Sequence, residues 1–426
     1  MRQWAGRIAE RLTAHRVRLP LALLLYLLAL ALLPVTGLTE SRIDFERAVY
    51  YPARAFLDGL DPYEQHAYLA RYPIDAPFPP FLPATLLLHL PFGLLPPGLA
   101  GALYFLMTLV LVFASARLAL AFTESRAGAS DVITVAALVL LSRPGRLALR
   151  LGQLSFEPVI GTYLALYFAR RAPWLGGVGL SLALIKPTFG VPLGLLMLLR
   201  RQVRPVAIGG ALSIVVNLAV VGVLIPRAGG LTPFRSHLAA TLQSARMGIV
   251  ETANPVMTSL RTDAASLLGR VRGRPLRSRT QVLIALAVLA AGAVVVVAGR
   301  DLLGPGADGL IAGFVCVAIL LSGYHQAYDL VLLILPTVVL ARSPPAGSLL
   351  SPAVRHMLAV LLLALGANYL ASEGALAKLG LERNSLGWLL LTSVNAVALL
   401  LTYVVYAVGL IRLAPARDTP EIIGNR

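Results

Sequence analysis

Long apolar runs separated by short polar clusters make up most of the chain. After a first run from about 19 to 33, apolar segments recur at roughly 81–121, 131–142, 153–169, 173–185, 188–199, 205–225, 279–299, 307–321, 328–341, 356–371 and 386–411. A bilayer-spanning helix needs about 20 predominantly apolar residues, so the pattern predicts an all-α polytopic membrane protein with about 12 transmembrane helices. Several runs are shorter than a bilayer is thick. Those that meet at Arg143-Pro144-Gly145 and at Lys186-Pro187 predict helices that stop or bend part-way across, which a membrane tolerates beside a cavity or other protein. The run 81–121 is too long for one span and is divided at Pro96-Pro97, so its first half is expected to be re-entrant or juxtamembrane.

Composition agrees with this reading. Of 426 residues, 58% are hydrophobic and 13% charged, about half the charged share of a soluble domain. The formal charge of +17 comes from basic residues at the ends of apolar runs, where they set orientation and do not read nucleic acid. Arginines at 2, 7, 11, 16 and 18 place the N-terminus in the cytoplasm. The organisation that follows is a basic segment 1–18, a transmembrane module 19–341 with an outer loop at 39–80 and a linker at 226–278, C-terminal helices 342–411 and a cytoplasmic tail 412–426. The linker carries Arg227, Arg235, Arg246, Arg261, Arg270, Arg272, Arg274 and Arg277 on the side where the rule expects few; lipid phosphates are one expected partner. One cysteine, Cys316, excludes disulfide frameworks and thiolate metal sites, and the six histidines have no metal-ligand spacing.

Sorting the polar clusters by side is the informative step, because ionisable groups at the membrane are expensive and default to function. The clusters that fall outside are Asp44-Phe45-Glu46-Arg47 with Asp58 to Tyr63; Arg150 to Gln153; Lys186 to Thr188; Asn254; and Tyr324 to Asp329. No comparable cluster faces the cytoplasm. A flippase or transporter would carry polar sites reachable from both sides, so the asymmetry favours chemistry at the outer face. The first outer loop reads as a short amphipathic juxtamembrane helix ended by Gly59, with Ser41 and Asp44 in a capping pattern. Asp44 is therefore either a capping residue or a general base. Asp58 and Asp61 read as turn residues, Lys186 and Arg150 as snorkelling cations or phosphate partners, and His325 as a helix-closing group or a phosphate contact.

The run from Asp44 through Tyr50 and Asp58 to Tyr63 resembles the first outer loop of glycosyltransferase family 87. These are polyprenol-phosphate-mannose-dependent mannosyltransferases with the GT-C fold. Pro80-Phe81-Leu82-Pro83, Gly152-Gln153, Lys186-Pro187 and Tyr328-Asp329 follow in the family's order, so the resemblance covers roughly 40–341. It implies transfer of a sugar, mannose by analogy, from a polyprenyl-phosphate donor to a lipid or glycan acceptor hydroxyl at the outer face of a bacterial plasma membrane. The family's catalytic aspartate matches Asp44, and the matched residues Gln153, Tyr63, Tyr328 and Asp329 are expected at the substrate. Lys186, Arg150 and His325 are the cations available to a departing phosphate. No cofactor is expected, since the lipid-linked donor is itself a substrate. Asn254-Pro255-Val256 departs from the Asn-Gln-Ser expected in the linker. An envelope-glycan polymerase or ligase shares the carrier chemistry and remains the nearest alternative, with a lipid-linked-sugar flippase behind it.

Overall fold

The computed structural model describes residues 18–33, 43–123, 126–247, 254, 256–299, 302, 305–342, 349–383 and 385–413. The basic segment before Arg18, the capping residue Ser41 and the tail after Leu413 lie outside them. Among the described residues there are helices and no strands, and a single antiparallel bridge joins Arg261 to Gln326. The chain is an all-α polytopic membrane protein.

Among the described residues five helices are long and apolar enough to cross a bilayer: Pro97–Ala121, Val203–Arg227, Ser278–Ala298, Pro352–Ala371 and Leu386–Ile411. Their outward residues, such as Ile214, Val215, Leu218, Val282, Leu283 and Leu286, are apolar and exposed, a surface that lipid covers and water would not. Ala129–Leu141 and Arg143–Leu151 together have the make-up of a sixth span but are bent by 75°. The bend has a local cause. Ser142 is held extended (φ −70°, ψ 148°), its hydroxyl caps the next helix by accepting from Gly145 N at 3.1 Å, and Pro144 fills the first turn, where it lacks no needed N–H.

Other apolar helices among the described residues are shorter than a span, in accord with the runs expected to stop or bend part-way across. Pro173–Leu184 and Pro187–Leu199 have 12 and 13 residues, about 18–20 Å at 1.5 Å per residue, against a hydrocarbon core of about 30 Å. The run 81–121 divides at Pro96 as expected, into short turns Ala84–Leu88 and Leu90–Gly93 and the long helix Pro97–Ala121. Pro305–Ser322 is buried on nearly every face, with Phe314, Cys316 and Ile319 at its centre, so it forms the middle of the bundle. Cys316 is a buried core residue.

Small residues set the closest helix approaches. A Cβ on Gly161 would lie 2.5 Å from Ala183 N, and one on Gly179 would lie 2.5 Å from Ala165 N, so Phe156–Phe168 and Pro173–Leu184 touch backbone to backbone as membrane helices do at small residues. Gly179→Val should force them apart and lower stability by about 1–3 kcal/mol, the usual range for overpacking. Thermal unfolding in detergent checks this; an unchanged midpoint would show that the contact is looser than the geometry requires.

Candidate functional site

The first-loop helix spans 43–57 without a break, and its middle turn, Glu46–Tyr50, is a wide π turn. It buries Phe45, Val49, Tyr50 and Ala53 and ends at Gly59, which adopts φ +83°, in accord with the amphipathic helix expected there. Phe45 fixes the start of this helix. Its ring packs against Tyr104 at 5.1 Å, and its Cβ would be only 2.6 Å from a Cβ built on Gly152. Gly152 also ends Arg143–Leu151 in the left-handed conformation (φ +66°), so both the backbone angle and the close approach require glycine. The next residue, Gln153, then donates its side-chain N–H to the Asp44 carboxylate. Gly152-Gln153 is thus a device for holding Asp44. Burial pushes the Asp44 carboxyl above its ordinary pKa, against the Gln153 hydrogen bond and the charges of Arg47 and Lys186, which favour the ionised form.

Behind Asp44 lies a second carboxylate with almost no exposure. Asp329 Oδ1 accepts from Lys186 Nζ at 2.6 Å and from Ser155 Oγ at 3.0 Å. Its Oδ2 accepts from Gln326 N at 3.2 Å and faces His325 Nδ1 at 3.1 Å. The other ring nitrogen of His325 faces Thr188 O at 3.3 Å, so both nitrogens are turned to acceptors of the chain. Lys186 caps the break between Leu184 and Pro187, and its ammonium stands 5.2 Å from both the Phe189 and Tyr328 rings, at cation–π distance. Tyr328 is buried within electrostatic reach of Asp44 and Asp329.

The structure therefore brings Asp44, Gln153, Lys186, His325, Tyr328 and Asp329 to one end of the bundle. Arg150 lies exposed at the last turn before Gly152. Tyr63 is elsewhere: it is buried against Phe78 and Phe234, and its hydroxyl donates to Phe81 O at 2.9 Å, which pins the proline-rich loop. Asp58 accepts from Tyr72 and Arg54, and Asp61 from Tyr63 N and His237, consistent with their reading as turn residues.

The linker also passes here. Thr262 N donates to His325 O at 3.0 Å and Ala327 N to Leu260 O at 2.7 Å, so 260–262 lies alongside the His325 segment. Arg261 pairs with Asp263, and Arg270 donates to the carbonyls of Thr258 and Arg261. Both guanidinium groups are buried in the protein, which corrects their expected role as lipid-phosphate holders. Arg227 donates to Phe56 O at 2.6 Å, tying the linker to the first loop. Arg272, Arg274 and Arg277 stay exposed.

Sequence reasoning missed Ser155 and Glu157. Glu157 is buried at the start of Phe156–Phe168, accepts from Tyr104 OH at 2.8 Å and lies 3.8 Å from His89 Nε2; a carboxylate opening an apolar run was a legible signal. Among the described residues no group of histidine, cysteine and carboxylate side chains has the make-up of a metal site.

Removing one partner of the Lys186–Asp329 pair leaves a buried charge, so Asp329→Asn should destabilise by about 3–5 kcal/mol, while the double change Lys186→Met with Asp329→Leu should recover much of that loss. Denaturation of the three variants in detergent measures it. A double variant no more stable than Asp329→Asn would show that the charges are not what the site is built on.

A family model, Glycosyltransferase family 87, matches residues 79–323, more than half of the chain. No curated protein and no solved structure matches. The matched stretch contains Arg150, Gln153 and Lys186; it begins beyond Asp44 and stops short of His325.

Proposed function

The chain belongs to glycosyltransferase family 87 and is a membrane glycosyltransferase, and from that premise we propose that it moves a sugar, mannose by resemblance, from a polyprenyl-phosphate donor to an acceptor hydroxyl at the outer face of a cell membrane. Asp44 is the general base. The observation that carries this reading is the Asp44 carboxylate itself: desolvated, oriented by Gln153, and flanked by the cations Arg47 and Lys186.

The chemistry follows from the arrangement. The acceptor oxygen attacks the anomeric carbon, its proton passes to Asp44, and the bond from that carbon to the carrier phosphate breaks, leaving the electron pair on the phosphate. A base acts only when it is within hydrogen-bond reach and ionised. The departing phosphate gains negative charge, and preorganised cations stabilise it best in a site with little water. Lys186 has three N–H donors; Asp329 takes one and fixes the side chain, so the other two serve the phosphate. Arg150, exposed near the same end, serves the same group. His325, with both nitrogens turned inward, acts through Asp329. Gln153, Tyr328 and Asp329 complete the wall, and Tyr63 contributes by shaping the proline-rich loop. Within the linker the buried Arg261 and Arg270 hold their segment beside His325 and the exposed Arg227 ties it to the first loop, so Asp44, Gln153, Lys186, His325, Tyr328 and Asp329 share one end. That grouping supports one-sided chemistry over a transport path.

Asp44→Asn keeps the shape and loses the basicity, so transfer should fall roughly 10²- to 10⁴-fold, as for a lost acid–base group, with little change in thermal stability. The pH profile gives an independent check. Because burial raises the Asp44 pKa and only the ionised form accepts a proton, the rate should rise with pH through a limb shifted upward from that of an ordinary aspartate. Gln153→Leu removes a donor that favours ionisation, so the limb should move further up. Sugar transfer by purified protein is the measurement. Full activity in folded Asp44→Asn, or a limb that ignores Gln153→Leu, would remove Asp44 from the role.

A further inference from the structure

The two cations beside Asp44 are held in different ways. Lys186 is locked in a buried pair with Asp329, whose side chain is 1% exposed. Arg47 follows Asp44 by three positions, within the π turn Glu46–Tyr50, a feature often found at functional sites. Its charge reaches Asp44. Its guanidinium pairs with Asp75, in the proline-rich loop, and the Asp75 side chain is 78% exposed. An ion pair open to water on one side is weak and screened by salt. A guanidinium also offers two parallel N–H donors that match two phosphate oxygens, which an ammonium cannot do. Of the two cations, Arg47 is the one that can change partners without leaving a buried charge behind.

We propose that Arg47 binds the phosphate of the donor's lipid carrier, and that Asp75 holds the guanidinium in place when no carrier is bound. This rests on the polyprenyl-phosphate reading above and adds a residue to it. When the bond between the anomeric carbon and the phosphate oxygen breaks, the phosphodiester monoanion becomes a phosphate monoester dianion, and the acceptor proton goes to Asp44. Arg47 exchanges the Asp75 carboxylate for the phosphate when the carrier binds and keeps that pairing as the phosphate gains its second charge. The proline-rich loop stays anchored in the exchange, because Tyr63 OH holds Phe81 O and Ala84 N donates to Asn217.

The test separates this role from a structural latch, since a latch fails alike from either side. Polyprenyl monophosphate, the carrier product common to every donor sugar, is titrated into full-length protein in neutral-lipid nanodiscs, with the thermal midpoint recorded for each variant. Arg47→Gln should weaken binding roughly 10- to 100-fold, the loss of a charge-assisted hydrogen bond, and Arg47→Lys should fall between. Asp75→Asn removes the competing carboxylate and should tighten binding. Equal weakening in Arg47→Gln and Asp75→Asn would make the pair a latch and overturn the proposal, as would wild-type binding in folded Arg47→Gln. If Arg47→Gln does not fold, Asp75→Asn decides alone: tighter binding supports the exchange, and weaker or unchanged binding overturns it. Wild-type protein that fails to bind the carrier would instead bring down the donor reading, and this proposal with it.

Discussion

Asp329 is a carboxylate with almost no access to solvent, and segments distant in the chain meet to satisfy it. Lys186 comes from the break between two short helices, Ser155 from the turn after Gln153, and His325 and Gln326 from the end of the central helix. A buried charge is tolerable only when its partner and its remaining lone pairs are supplied. That demand sets where these segments end. It also joins them to the linker, because the His325 carbonyl accepts from Thr262 and the Ala327 amide donates to Leu260.

Asp44 depends on this arrangement without touching Asp329. The turn that carries Ser155 also carries Gln153, and the glycine before it lets the first-loop helix approach to the distance at which Phe45 fills the missing side chain's place. Tyr104 closes the other side of Phe45. The result is two carboxylates with opposite surroundings. Asp329 is saturated with donors and serves as an anchor. Asp44 has one described side-chain donor, Gln153, and partial exposure, which leaves it room to take a proton. This division of labour is what the proposed glycosyl transfer requires.

The motifs were legible one at a time. Gly152-Gln153, Lys186-Pro187 and Tyr328-Asp329 stood out as polar interruptions in apolar sequence, and the first-loop helix was readable from its periodicity and from Gly59. Their pairing was not. Nothing in the sequence says that Lys186 is anchored by Asp329, that both nitrogens of His325 turn inward, or that Tyr63 belongs to the proline-rich loop. The arginines of the linker misled for the same reason: composition counts charges, and Arg261 and Arg270 are satisfied by partners that only the fold supplies.

What the sequence determined by itself was the solvent and the class of fold: with 58% hydrophobic residues in long runs, backbone groups have no alternative in a bilayer to helices that satisfy them internally. It also determined where helices break, since proline and glycine act locally on the backbone. The tertiary structure decided how many helices reach full span and which polar residues meet. Helix length depends on whether neighbours cover a broken end, and a side chain's partner depends on which segment the packing brings within about 3 Å, the reach of a hydrogen bond. Neither is a property of any short stretch of chain.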